Sequence, residues 1–270
     1  MKYATVAALF LGINSALGAK LTEKRRAAHA ARALSKHRSS PRLPATDVHG
    51  NEIQGAVNET SHVEYSSNWS GAVLIGTGYT SVTGTFVVPT PSTPSGGSSK
   101  TEYAASAWVG IDGDTASNSI LQTGVDFYVE GSSVGYDAWY EWYPAYAYDF
   151  TGITISAGDT IKVTVTATST KAGTAVVENV STGKTVTETF TNEAYALQEY
   201  NAEWIVEDFE SGSALVPFAD FGTVTFTGAS ATGSSGTVGP SGATLIDIEQ
   251  SGKVLTSVST TSSSVTVKYV

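Results

Sequence analysis

Residues 202–212 read AEWIVEDFESG and set four carboxylates, Glu203, Glu207, Asp208 and Glu210, among a tryptophan and several apolar residues. A carboxylate held beside a substrate can serve as general base, general acid or nucleophile. In an extended strand alternate side chains share a side. Glu203, Ile205, Glu207 and Phe209 therefore face one way, and Trp204, Val206 and Asp208 the other. The two glutamates that point together stand about 13 Å apart. Parity does not choose between them, nor does it say which mixed face meets a substrate.

Three other segments show the same mixture. In ILQTGVDFYV (120–129), Gln122, Gly124, Asp126 and Tyr128 oppose Leu121, Val125, Phe127 and Val129. In YDAWYEWYP (136–144), Asp137, Trp139, Glu141 and Tyr143 oppose Tyr136, Ala138, Tyr140 and Trp142. In YAASAWVGID (103–112), Ala104, Ser106, Trp108, Gly110 and Asp112 share a side. Side by side, such faces form a groove that grips an extended polymer through aromatic rings and presents acids to it. Two chemistries suit it: glycoside hydrolysis by paired carboxylates, or attack on a peptide by a carboxylate-activated water. A non-catalytic binding sandwich is a third reading.

Absences narrow the chemistry further. The chain has no cysteine, and its four histidines (His29, His37, His49, His62) all lie at or before position 62. Serine–histidine and cysteine–histidine nucleophiles and histidine–zinc sites are thereby excluded from the remainder; no metal or cofactor is expected. A carboxylate base with an ordinary pKa near 4.3 is most useful in acid. Apparent motifs do not fill the gap. Gly131-Ser132-Ser133-Val134-Gly135 has the serine-elbow spacing but no histidine partner, Ser181–Lys184 falls in a hairpin turn, and Asp112-Gly113-Asp114 lacks the glutamate that closes a calcium loop.

The elements that must position these residues are strands. Thr, Ser, Val and Gly dominate, and only 15% of residues are charged, a β-rich profile. Ile161, Val163, Val165 and Ala167 alternate with Lys162, Thr164, Thr166 and Thr168, and 177–190 reads as a hairpin turning at Thr182-Gly183. The stretches 89–100 and 230–242 read as exposed Pro/Gly/Ser loops. The pattern predicts an all-β, antiparallel two-sheet β-sandwich of jelly-roll or concanavalin-like type.

The organisation predicted is a signal peptide over 1–19, a basic propeptide over 20–60, helical around 22–34, and a catalytic domain over 61–270. Residues 1–60 carry nine Lys and Arg against four Asp and Glu, and the remainder six against 21. A basic leader beside an acidic body suggests a segment held electrostatically and released when carboxylates protonate. The acidity argues against nucleic-acid partners, and no later apolar run is long enough for a membrane span. Twenty-one carboxylates repelling one another should raise their folded pKa values and favour the fold at low pH. Asn58, Asn68 and Asn179 match the glycosylation acceptor.

The segments SNWSGAVL, ASAWVGIDGD, ILQTGVDF, YDAWYEWYP and AEWIVEDFE resemble, in order, motifs of the glutamic peptidase (eqolisin) family, with the likeness running from about Glu64 to Val270. It departs from some members in lacking cysteines and in a shorter 89–100 loop. The resemblance implies a secreted, monomeric endopeptidase active in acid on polypeptide substrates, with its own propeptide as inhibitor. It also implies a catalytic dyad of Gln122 and Glu207, the glutamate activating water and the glutamine stabilising the oxyanion. The matching groove positions are Trp69, Trp108, Asp112, Asp126, Asp137, Trp139, Glu141, Tyr143 and Glu210.

Overall fold

The computed structural model describes residues 37–47, 52, 63–212 and 214–270. The predicted signal peptide, the helix around 22–34 and Asn58 lie outside the described residues. In chain order the strands are β1 (His37–Arg38), β2 (Val63–Ser66), β3 (Trp69–Ile75), β4 (Tyr79–Val87), β5 (Glu102–Ile111), β6 (Ile120–Glu130), β7 (Ser133–Tyr143), β8 (Tyr148–Asp149), β9 (Thr160–Ser169) and β10 (Ala172–Asn179). They continue as β11 (Lys184–Phe190), β12 (Asn201–Glu207), β13 (Glu210–Ser211), β14 (Ala214–Leu215), β15 (Thr223–Gly233), β16 (Gly236–Val238), β17 (Thr244–Gln250), β18 (Lys253–Val254), β19 (Thr256–Thr260) and β20 (Ser264–Tyr269).

A nine-stranded sheet runs β18-β17-β3-β12-β5-β6-β7-β8, with β2 beside β17. An eight-stranded sheet runs β11-β10-β9-β4-β15-β20-β19, with β16 beside β15. Among the described strand pairs all but β2 with β17 are antiparallel. A three-stranded ribbon, β1-β13-β14, stands apart from both sheets.

The predicted alternation decides what lies between the sheets. Leu121, Val125 and Phe127 of β6 and Trp204 and Val206 of β12 point inward, against Val82 and Phe86 of β4 and Ile161, Val163 and Val165 of β9. Each such side chain contributes roughly 1.5–3 kcal/mol by leaving water, and this chain has no disulfide to add to it. The Trp204 indole N–H is satisfied by the Thr83 carbonyl at 2.8 Å. Strand β9 buries its odd-numbered positions from Ile161 to Ala167, as its alternation predicts.

The outward face of the larger sheet is not a plain solvated face. It carries a second apolar cluster in which Trp69, Trp108, Trp139, Ile120 and Ile205 are fully buried. Trp69 and Trp108 meet edge to face with centroids 5.0 Å apart, the arrangement favoured by aromatic quadrupoles.

Two loop readings fare differently. Gly131 and Ser132 form the β6–β7 turn, with Gly131 at φ 61°, so the serine-elbow spacing is a hairpin. The expected loop over 230–242 is instead partly a hairpin, because Ala231 to Gly233 pairs with Gly236 to Val238. Its Gly and Ser content masked that pairing.

Candidate active site

Register builds the groove row by row across β12, β5, β6 and β7. One row is Glu203, Gly110, Gln122, Glu141; the next is Ile205, Trp108, Gly124, Trp139; the third is Glu207, Ser106, Asp126, Asp137. All three rows lie opposite the sandwich core, so the face holding Glu203 and Glu207 is the groove face, the choice that parity had left open. Gly124 is required in the middle row, because a Cβ there would lie 2.4 Å from the Ala107 carbonyl oxygen and 2.5 Å from the Trp108 Cβ. The gap lets the Trp108 ring settle over the sheet.

Glu207 is fully buried at the centre. Its Oε2 accepts from the Trp108 Nε1–H at 2.9 Å, and its Oε1 from the Asn68 amide at 3.4 Å. The Gln122 amide donates to Glu141 Oε2 at 3.2 Å across the β6–β7 register. Trp139 Nε1 donates to Ser106 Oγ at 3.0 Å, which fixes that ring.

A chain segment crosses these groups. Strand β1 pairs with β13, Arg38 opposite Glu210 and His37 opposite Ser211. The chain then passes over the acids. The Ser39 N–H donates to Glu141 Oε2 at 3.0 Å, the Ser39 hydroxyl donates to Glu207 Oε2, and the Ser40 N–H donates to Glu207 Oε1 at 3.0 Å. Trp69 Nε1 donates to the Ser40 carbonyl at 2.9 Å. Further on, the Asn68 amide donates to the Pro41 carbonyl at 3.3 Å and its Oδ1 accepts from the Leu43 N–H at 2.8 Å. The Arg42 guanidinium bridges Glu64 at 2.5 Å and Asp114 at 3.1 Å.

Burial governs the electrostatics. It pushes Glu207 up from 4.5 to about 7, against the pull of donors from Ser39, Ser40, Trp108 and Trp69. Desolvation likewise drives Asp126, with smaller contributions from Asp137, Asp149 and Glu207, well above the ordinary range. The rise expected from mutual repulsion is thus present, but burial leads it. Beyond the third row, a cavity of about 310 Å³ is lined by Asp126, Asp137 and Asp149 on one side and Phe209, Leu215 and Val216 on the other.

The nine groove residues named from the sequence divide. Trp69, Trp108, Trp139, Glu141, Asp126 and Asp137 lie on the face described, Tyr143 packs at its margin, and Glu210 sits in the ribbon beside the crossing segment. Asp112 stands outside these rows, at the end of β5. Its carboxylate accepts the N–H groups of Gln198, Glu199, Tyr200 and Asn201 at 2.6–3.2 Å and so anchors that loop. The acceptor asparagines Asn68 and Asn179 are also buried, the latter bonded to the Thr154 carbonyl and Asp159, which leaves neither amide exposed for a glycan.

Sequence reasoning missed Asn68 as a partner of Glu207, and Ser39 and Ser40 as the groove's occupants. Asn68 stood in a short motif that also fits a glycan acceptor, and nothing in a Ser-Ser-Pro stretch signals where it docks.

Comparison with known proteins agrees with the geometry. The chain is 57% identical over 286 aligned residues, covering 100% of both chains, to aspergillopepsin-2 of Aspergillus niger. It is 45% identical to scytalidopepsin B of Scytalidium lignicola, over 76% of this chain and 78% of that one. The crystal structure of scytalido-glutamic peptidase with a transition state analog inhibitor superposes with a TM-score of 0.70 at 45% identity, covering 76% of this chain and 98% of that chain. Residues 67–269, which hold every groove strand from β3 onward, match the model of one family, and with these likenesses they show that the chain belongs to the peptidase A4 family.

Proposed function

We propose that the chain is a secreted acid endopeptidase, made as a latent precursor, in which Glu207 and Gln122 hydrolyse peptide bonds. The observation that carries the reading is Ser39. This one residue of an extended segment touches Glu207 through its hydroxyl and, through its N–H, the Glu141 oxygen that holds the Gln122 amide. A polypeptide following the same path brings a peptide bond between a general base and an amide donor.

In the reaction, ionised Glu207 takes a proton from water as the water oxygen bonds to the scissile carbonyl carbon. The Gln122 N–H that Glu141 does not hold donates to the oxyanion, a contribution of about 3–4 kcal/mol. Glu207 then passes its proton to the nitrogen, the C–N bond breaks, and the amine leaves. Trp108 and Asn68 keep the carboxylate aimed throughout. The sugar-cleaving alternative, which pairs Glu141 with Glu207, has less support, because Glu141 Oε2 is engaged by the Gln122 amide and a backbone N–H.

Residues 39–43 act as the inhibitor. The Ser39 hydroxyl stands on the oxygen of Glu207 that would activate water, and the segment fills the path a substrate would take. Asp114 is pushed up by burial more than Arg42 draws it down. It therefore takes a proton at milder acidity than an ordinary aspartate, and Arg42 loses its inner partner as pH falls.

The test is acidification of the full-length chain with a denatured protein as substrate. Peptides should accumulate with wild type, and Gln122→Ala and Glu207→Gln should each lose at least 10²-fold in rate while keeping the folded circular dichroism spectrum. Wild-type turnover in either variant would overturn the assignment.

A further inference from the structure

Glu203 takes no part in the reaction just described, yet it sits in the same row as Gln122. Its carboxyl is fully buried, and neither of its oxygens has a hydrogen-bond partner among the described residues. Two strands away, the Gln122 amide oxygen is also buried without a partner among them. The strand between them contributes Gly110, and this absence of a side chain brings the two together. A Cβ on Gly110 would lie 2.7 Å from Glu203 Oε1, 2.8 Å from the Trp108 ring and 3.4 Å from the Gln122 Cβ. Glu203 and Gln122 therefore approach each other over Gly110, along the edge of the Trp108 ring.

A buried acceptor with no donor is costly, and so is a buried carboxyl with no partner. Two such groups on either side of one glycine satisfy each other if one carries a proton, either directly or through a single water with polar partners on both sides. Gln122 has a specific need for this. Its amide works only with nitrogen toward the substrate, and a flip would turn a carbonyl oxygen toward the oxyanion. Glu141 accepts at the nitrogen end; a donor at the oxygen end completes the hold.

Resting on the function proposed above, we infer that Glu203 is a positioning residue that keeps its proton and donates to the Gln122 amide oxygen, fixing which end of that amide meets the substrate. Burial, reinforced by the nearby Asp112 and Asp114 carboxylates, favours the protonated form. A carboxylic acid held neutral so as to donate is an established device of catalytic sites. Glutamate in this row thus has a different task from Glu207, although strand parity makes them look equivalent.

The test compares Glu203→Gln and Glu203→Leu with wild type in the acid-activated chain, measuring kcat and KM on a peptide substrate together with melting temperature. Leucine fills the space but cannot donate, so kcat should fall about 10- to 100-fold, the scale of a misplaced catalytic group, with KM little changed. Glutamine keeps an N–H donor and should restore most of kcat. The infrared difference spectrum between wild type and Glu203→Gln should show the loss of one protonated-carboxyl band, over and above those of the other buried acids that both chains keep. Wild-type kcat in Glu203→Leu, or a folded Glu203→Gln as slow as the leucine variant, would overturn the inference. A wild-type chain that cleaves no polypeptide at all would instead overturn the function on which it rests.

Discussion

Replacing Glu207 with glutamine should flatten the dependence of folding stability on pH. Burial raises this carboxyl from 4.5 to about 7, against the pull of donors that include Ser39 and Ser40 of the crossing segment. The folded chain then keeps a proton that the unfolded chain gives up near 4.5. Between those values the folded state binds more protons, so stability falls as pH rises. The contribution is fully present below about 4.5 and is lost by about 7. The gap of roughly 2.5 pH units, at 1.36 kcal/mol each, corresponds to about 3 kcal/mol. Asp247, raised by burial from 3.8 to about 6, adds a loss in the same direction at slightly lower pH. The assay is urea unfolding of the full-length chain at several values between pH 4 and 8, with and without Glu207→Gln. Both chains carry Gln122→Ala so that the segment is not cut away. The glutamine chain should lose about 3 kcal/mol less than its parent across the window. Identical pH profiles, or a parent more stable at pH 7 than at 4.5, would refute the reasoning.

Two further outcomes follow from the contacts. Asp112→Ala leaves the four N–H groups of residues 198–201 without their acceptor; it should cost about 3–5 kcal/mol in urea unfolding and leave KM nearly unchanged in whatever fraction folds, whereas a groove role would raise KM. Arg42→Ala removes the ion pairs to Glu64 and Asp114 and should weaken the segment's hold by about 1.5–3 kcal/mol, so activity should appear at higher pH when the precursor is incubated across a pH series.

Much of this molecule was legible in one dimension, because β-strands impose a period of two on their side chains. That period separated Leu121, Val125 and Phe127 from Gln122 and Asp126, and the first set fills the sandwich core while the second lines the groove. The absence of cysteine and late histidine confined the chemistry to carboxylates, amides and hydroxyls. The motif likeness then selected Gln122 and Glu207. Periodicity could not supply the pairing of strands distant in sequence, since register depends on which faces find each other across the sheet.

Only the tertiary structure decided that β12 lies between β3 and β5, so that Glu207 meets Trp108 and Asn68 while Glu203 lies over Gly110. The same holds for Asp112. Parity placed it on the groove face, but a left-handed backbone at φ 71° turns it toward the amides of 198–201 at the strand's end. Charge balance predicts a basic leader drawn to an acidic body. It could not foretell that two neutral serines would meet the central glutamate, because hydrogen-bond geometry at a buried carboxylate is set by atoms brought together from some 170 residues apart in sequence.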